Sequence, residues 1–235
     1  MRTCHERAEF LCHSLSRRVL LYFTLKSQWR YSLWTDKLPA TMQIAMRVHS
    51  VAQEQNDSSL MIGACRALAV TLYFLGDFKS SRQNAMRGVQ IWRSGGVKPR
   101  PEDINAPIVI CLCFRALCEW QFGQIGLCQV TITEAISLAK ELNDMHALAL
   151  ALYFAGFLAH FEHNHAEMER YSSDLIELST RQTFATFLAV GAILRGSARS
   201  ASGHSTEGIS WIENGIADYR ASGSILSMPY FLTKG

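Results

Sequence analysis

The sequence has few of the features that mark several large classes of protein. Charged residues make up 18% of the 235 residues, the net charge is +3, and no block of Lys or Arg is longer than two. A nucleic-acid-binding surface is therefore not expected. No apolar run approaches the ~20 residues that a membrane-spanning helix needs, so we expect no membrane insertion. Only five prolines are present, and most lie where helical patterns begin or end.

The cysteines show no spacing typical of a disulfide framework. Their number is seven, which is odd, and five of them lie in predicted helices among apolar neighbours. A free cysteine in such a place behaves as a small apolar residue. The sequence therefore predicts reduced thiols and a cytoplasmic protein. The five are Cys65, Cys111, Cys113, Cys118 and Cys128.

Motifs for catalysis and cofactor binding are also missing. The sequence has no GxxxxGK[ST] or GxGxxG phosphate loop, no HExxH and no GxSxG, so we expect neither enzymatic activity nor a bound cofactor. The nearest approach to a metal site is the group His160, His163 and His165, with Glu162 between them. A solvated turn is the preferred interpretation of this group, and an enzyme with a metal there is one alternative.

What the sequence does contain is a repeated unit, seen most clearly from Ala67 to Trp92. Leu68, Leu72 and Leu75 follow helical spacing, and Gly76-Asp77 then interrupts the pattern. Glycine commonly ends a helix in the left-handed conformation, and aspartate caps the start of the next one. The unit is therefore predicted to be a helix, a tight turn and a second helix.

Small residues recur at fixed offsets from the turn residue, seven before it and five and twelve after it. The predicted turns lie near residues 36, 76, 123, 163 and 203, so the period is 40 apart from one interval of 47. The unit at 163 keeps Gly156 but is otherwise degenerate, and the unit at 36 is the poorest match. Gly196 and Gly215 are predicted to be packing positions where helices cross. The small sets are Ala69, Ser81 and Gly88, then Ala116, Cys128 and Ala135, then Gly196, Gly208 and Gly215.

This pattern resembles the tetratricopeptide repeat (TPR) family, in a variant of about forty residues. The resemblance implies an all-α solenoid, a TPR-like α-α superhelix of about five helix pairs, over a single domain from 1 to 235. The segment Ser94–Pro107 holds three of the five prolines and is expected to be an irregular insert within the array.

Runs such as ALAVTLYFLGDF, ISLAKEL and GAILRGSA further resemble the C-terminal helical region of bacterial adenylate or guanylate cyclase–AAA/STAND ATPase signalling proteins. This resemblance implies a non-catalytic interaction or regulatory module whose cyclase and ATPase domains are absent from the chain. It would bind a protein or peptide in a concave groove. An alternative is a helical sensor, from a signalling ATPase or transcriptional regulator, that binds a small effector between helices.

By repeat offset, seven residues are expected to face the groove. They are Arg66, Tyr73, Cys113, Trp120, Tyr153, His160 and Ser200. The segment from Ile225 to Leu232 resembles the first turns of another repeat and lacks a polar capping helix. We therefore expect a C-terminally truncated array, with an uncovered apolar end through which the chain self-associates.

Overall fold

A computed structural model describes residues 2–15, 17–35, 38–97 and 106–223. Helices account for the regular structure of these residues, and they contain no strand. The helices are α1 Arg2–Ser14, α2 Arg18–Thr35, α3 Leu38–Gln55, α4 Ser58–Phe74, α5 Phe78–Arg93, α6 Pro107–Gln121, α7 Ile125–Glu141, α8 Met145–Phe161, α9 His165–Gln182, α10 Ala185–Ala201 and α11 Ser205–Ala221.

The turn inside each repeat has one geometry, built on a left-handed residue. The backbone φ is +84° at Gly76, +71° at Gly123, +54° at His163 and +91° at Gly203. The residue after each of them donates its N–H to a carbonyl five residues earlier, which is the Schellman bond that closes a helix C-terminus. The predicted turn at residue 36 lies outside the described residues.

The turns between repeats follow the same register. Each contains a residue in the left-handed conformation, 20 positions after the turn residue, observed or predicted, of the repeat before it. Turns therefore recur every 20 residues, except across the predicted insert Ser94–Pro107. These residues are Asn56, Gly96, Asn143, Thr183 and Gly223. Asparagine side chains tolerate this conformation better than most, and the threonine is the unusual case.

Contacts divide the chain into two compact units, Met1–Leu127 and Cys128–Gly235, with the boundary inside α7. In the first unit α2 packs on α3 and α4, and α4 packs on α5 and α6. In the second unit α8 packs on α9 and α10, and α10 packs on α11. Within each unit the first helix of one repeat therefore contacts the first helix of the next, as in a solenoid. The single domain over 1–235 stays a prediction.

The predicted packing positions in the last repeat are confirmed. A Cβ added at Gly196 would lie 2.6 Å from the Gly208 carbonyl oxygen, and one at Gly215 would lie 2.8 Å from that of Ala189. Only glycine permits the backbones of α10 and α11 to approach so closely.

Two further expectations from the sequence concern membrane insertion and the C-terminal end of the chain. Among the helices described, none is long and apolar enough to cross a membrane. The segment from Ile225 to Leu232 lies outside the described residues. On α11, the helix that precedes it, Ile212 and Tyr219 are buried, whereas Ile209 is 46% exposed.

Candidate interaction surfaces

The seven predicted groove residues fall into two groups according to their distance from the turn. Those ten residues before it are buried: Arg66 is 6% exposed, Cys113 0% and Tyr153 7%. Cys113 therefore offers no surface to a partner. Those three residues before the turn are partly exposed, and they are Tyr73, Trp120, His160 and Ser200. Groove lining stays a prediction, and the second group has the surface for it.

Tyr73 is the best supported of the exposed group. Its ring packs against Phe78 at 5.2 Å and Phe114 at 5.4 Å between centroids, and Gln121 Nε2 donates to its hydroxyl at 3.5 Å. Burial raises the pKa of the Tyr73 hydroxyl further above neutral pH. The contact with Phe114 joins α4 to α6. The result is a partly exposed aromatic side chain held in place by two successive repeats.

Arg66 of α4 packs against an aromatic residue of α2, the first helix of the preceding repeat. Its guanidinium carbon lies 5.5 Å from the centroid of the Trp29 ring, within cation–π range. Trp29 is fixed in turn, because its Nε1 donates to Thr71 Oγ1 at 2.9 Å. The buried position of Arg66 thus follows from a contact between repeats that the local sequence pattern does not reveal.

A cavity of about 330 Å³ opens between α2 and α4, and we call it the α2–α4 cavity. Three of its lining side chains are cationic, and none of those in the described residues is acidic. Its described lining consists of Leu20, Phe23, Lys26, Ser27, Trp29, Arg30 and Arg66.

The second unit has a cavity of about 380 Å³ among α7, α8 and α9, and its charges are mixed. Gln129 Nε2 donates to Glu162 Oε2 at 2.9 Å, while Glu162 Oε1 is buried without a hydrogen bond from any described residue. On the other side Arg170 pairs with Glu167, and this hydrogen bond lowers the pKa of Glu167. The carboxylates in this cavity contrast with the cations of the α2–α4 cavity.

The histidine group does not assemble into a ligand set. His163 is the left-handed turn residue and His165 begins α9, with 6.5 Å between the two ring centroids. Within the described ranges no three His, Cys, Asp or Glu side chains lie as a metal site requires. The geometry is that of a helix–helix turn.

Lys26 and Arg30 of the α2–α4 cavity were not among the residues predicted from the sequence. Lys26 lies ten residues before the predicted turn at 36, which is the offset that Arg66 has in the next repeat. Applying that offset to the first repeat would have found it. Arg30 is one helical turn further along the same face of α2.

Comparison of the fold with solved structures gives similar helical-repeat proteins. A Rap protein, solved in complex with Competence and Sporulation Factor, has a TM-score of 0.69 and 14% identity over 92% of this chain and 57% of its own. Aspartyl phosphate phosphatase F from Bacillus subtilis has a TM-score of 0.66 and 13% identity over 96% of this chain and 58% of its own. BtubC (BKLC) from P. vanneervenii has a TM-score of 0.63 and 13% identity over 94% and 89%.

These similarities confirm the predicted fold class, an all-α TPR-like solenoid of stacked helix pairs. At 13–14% identity they concern the fold alone. The chain spans about 57% of the length of the Rap protein. No protein-family model and no curated protein sequence matches the chain.

Proposed function

We propose that the chain is a non-catalytic interaction module that binds a protein or peptide on the first helices of its repeats. The observation that carries this proposal is Tyr73, a partly exposed aromatic side chain of α4 that is fixed by Phe114 and Gln121 of α6. Rigid aromatic anchors of this kind dominate the energetics of protein interfaces. A protein of the same fold, the Rap protein, forms a complex with Competence and Sporulation Factor.

Trp120 extends this surface within the first unit, since it lies on α6 at the offset that Tyr73 has on α4. His160 and Ser200 have the same offset in the second unit. The sequence resemblance supports placing the module in a cyclase–ATPase signalling protein. There, partner occupancy would be passed on as a change in the curvature of the array.

A peptide-display selection against the purified chain provides the test. Peptides enriched on the chain are synthesised, and their binding is measured by fluorescence anisotropy. Tyr73→Ala and Trp120→Ala are each expected to weaken binding at least about tenfold, as loss of an interface hot spot does. Trp92→Ala is the matched control, because Trp92 is also a partly exposed aromatic residue but lies on the second helix α5.

Two results would contradict the proposal. One is a selection that enriches no peptide above background. The other is a set of peptides whose affinity is unchanged in Tyr73→Ala and Trp120→Ala while both variants keep their helical circular dichroism. Tyr73→Phe separates the ring from the hydroxyl, and we expect it to retain most of the affinity.

A further inference from the structure

The α2–α4 cavity concentrates positive charge below the protein surface. Lys26 is 9% exposed and Arg66 is 6% exposed, so two of its three cations are almost fully covered. Each lies over an aromatic ring: Lys26 Nζ is 5.7 Å from the Phe23 ring centroid, and Arg66 Cζ is 5.5 Å from the Trp29 ring centroid. Little of either side chain is therefore available to a partner that lies across the surface. Both can be reached by a group that enters the cavity.

Arg30 completes the cationic set and is the least compensated member. It makes no ion pair with any residue that the structure describes, and burial lowers its pKa. Lys26 and Arg30 are also four residues apart on α2, a spacing at which like charges repel. Arg30 lies partly buried beside the apolar wall of this cavity, so an anion bound there would offset the cost of desolvating its charge.

The size and walls of the cavity limit what this anion is. About 330 Å³ lies at the lower end of the range for small-molecule sites. Leu20 and Phe23 provide apolar wall beside the cations, and guanidinium groups bind carboxylate and phosphate in a bidentate manner. The α2–α4 cavity therefore suits a compact molecule that has one anionic head and an apolar body.

We propose that the α2–α4 cavity is a binding site for a small organic anion, either a carboxylate or a phosphate monoester on a compact apolar body. Lys26, Arg30 and Arg66 bind the anionic head, and Leu20 and Phe23 contact the body. The lining of this cavity includes neither Tyr73 nor Trp120, so either proposal can fail without the other.

Isothermal titration calorimetry on the whole chain tests the site with four probes: benzoate, phenyl phosphate, inorganic phosphate and benzyl alcohol. We expect at least one of the two aromatic anions to bind more tightly than inorganic phosphate, and benzyl alcohol not to bind. The stronger of benzoate and phenyl phosphate identifies the head group. In Arg30→Gln that affinity is expected to fall at least about tenfold, since a hydrogen bond to a charged group is lost.

Arg93→Gln is the control, because it removes the same charge from an exposed residue on α5. It should leave the affinity unchanged. Arg30→Gln should also leave the thermal midpoint of the unliganded chain unchanged or raise it, because it removes one of three like charges. Since Arg66→Gln alters a buried contact and can disturb folding, the test rests on the partly exposed Arg30.

Four results would overturn the proposal. The first is no binding of either aromatic anion at concentrations up to about 10 mM. The second is an equal loss of affinity in Arg93→Gln and Arg30→Gln. The third is inorganic phosphate binding as tightly as the aromatic anions, which would remove the role of the apolar body. The fourth is Arg30-dependent binding of a glutamate-rich decapeptide when both small anions fail, which would assign the cavity to an acidic peptide.

Discussion

The α4/α5 pair of the first unit and the α10/α11 pair of the second cross at the same repeat offsets, but different residue types occupy those positions. In α4/α5 the crossing uses a hydrogen bond, since Ser81 Oγ donates to the Ala69 carbonyl at 2.7 Å. Of its three small-residue positions only Gly88 is glycine, and a Cβ added there would meet side-chain atoms, Cys111 Sγ of α6 at 2.8 Å and Cys65 Cβ of α4 at 3.4 Å. In α10/α11 all three positions are glycine, and added Cβ atoms would meet backbone oxygens.

This difference predicts unequal tolerance to substitution. A side chain can rotate away from a new methyl group, whereas a helix backbone must move as a whole. Equal repeat offsets therefore do not imply equal packing. The α10/α11 crossing is the closer and more demanding one, and the α4/α5 crossing depends more on a buried hydroxyl and buried thiols.

The largest effect is expected from adding a methyl group at each crossing. Gly196→Ala should destabilise the chain by about 1–3 kcal/mol, because its Cβ would meet the Gly208 carbonyl, and Gly196→Leu should cost more. Gly88→Ala should cost less, since Cys111 Sγ can rotate. Urea unfolding followed by circular dichroism measures both.

Gly126→Ala is the control for helix propensity. Gly126 lies in α7, and a Cβ there meets nothing within 4 Å, so this change should be neutral or stabilise by up to about 1 kcal/mol. If Gly196→Ala behaved like Gly126→Ala, α10 and α11 would be further apart than described.

A second effect concerns the buried thiols near the α4/α5 crossing. Burial raises the pKa of Cys65 from about 9 to about 11, so the folded state keeps a proton that the unfolded chain releases. The stability that this thiol contributes is intact below about pH 9 and is lost as the pH rises to about 11, by up to about 2 kcal/mol. Unfolding midpoints measured between these pH values should fall less in Cys65→Ala than in the parent chain.

Cys4→Ala serves as the control for this prediction, because Cys4 is exposed and its removal should leave the alkaline loss unchanged. An identical pH dependence in Cys65→Ala and the parent chain would show that this thiol does not contribute.

A smaller effect should appear at the contact of α2 with α4. The Tyr22 hydroxyl donates to the Leu60 carbonyl at 2.9 Å and occupies the place of a Cβ at Gly63. Tyr22→Phe should cost about 0.5–1.5 kcal/mol. Gly63→Ala should cost less in the Tyr22→Phe background than alone, because the collision is then absent. A double-mutant cycle by urea unfolding measures this coupling, and additive costs would count against the contact.

Helix ends were predictable from the sequence because their chemistry is local. Gly76, Gly123 and Gly203 are residues that tolerate a left-handed turn, and the observed helices end next to them. The turn at His163 contains no glycine, and the 40-residue period located it. The period measured on the clear repeats therefore predicts where the turn lies in a degenerate one.

The α2–α4 cavity was not predictable in the same way. The first repeat has Trp29, Thr41 and Val48 at the small-residue offsets, which makes it the poorest match to the pattern and leaves the positions of its cations unpredicted. The burial of Arg66 depends on Trp29, which lies 37 positions earlier, and a local pattern contains no such contact. Which offset positions face solvent is decided by the neighbouring repeat.

The hydrogen bonds between α2 and α4 also bear on how the chain folds. They connect residues 38 and 42 positions apart, which is about one repeat period. Contacts of such short sequence separation close small loops and favour fast folding. During synthesis, a repeat needs only about forty further residues before its neighbour can pack against it. We therefore expect each repeat to pack on the preceding one as the chain leaves the ribosome. Little apolar surface should then stay exposed until a residue distant in sequence is synthesised.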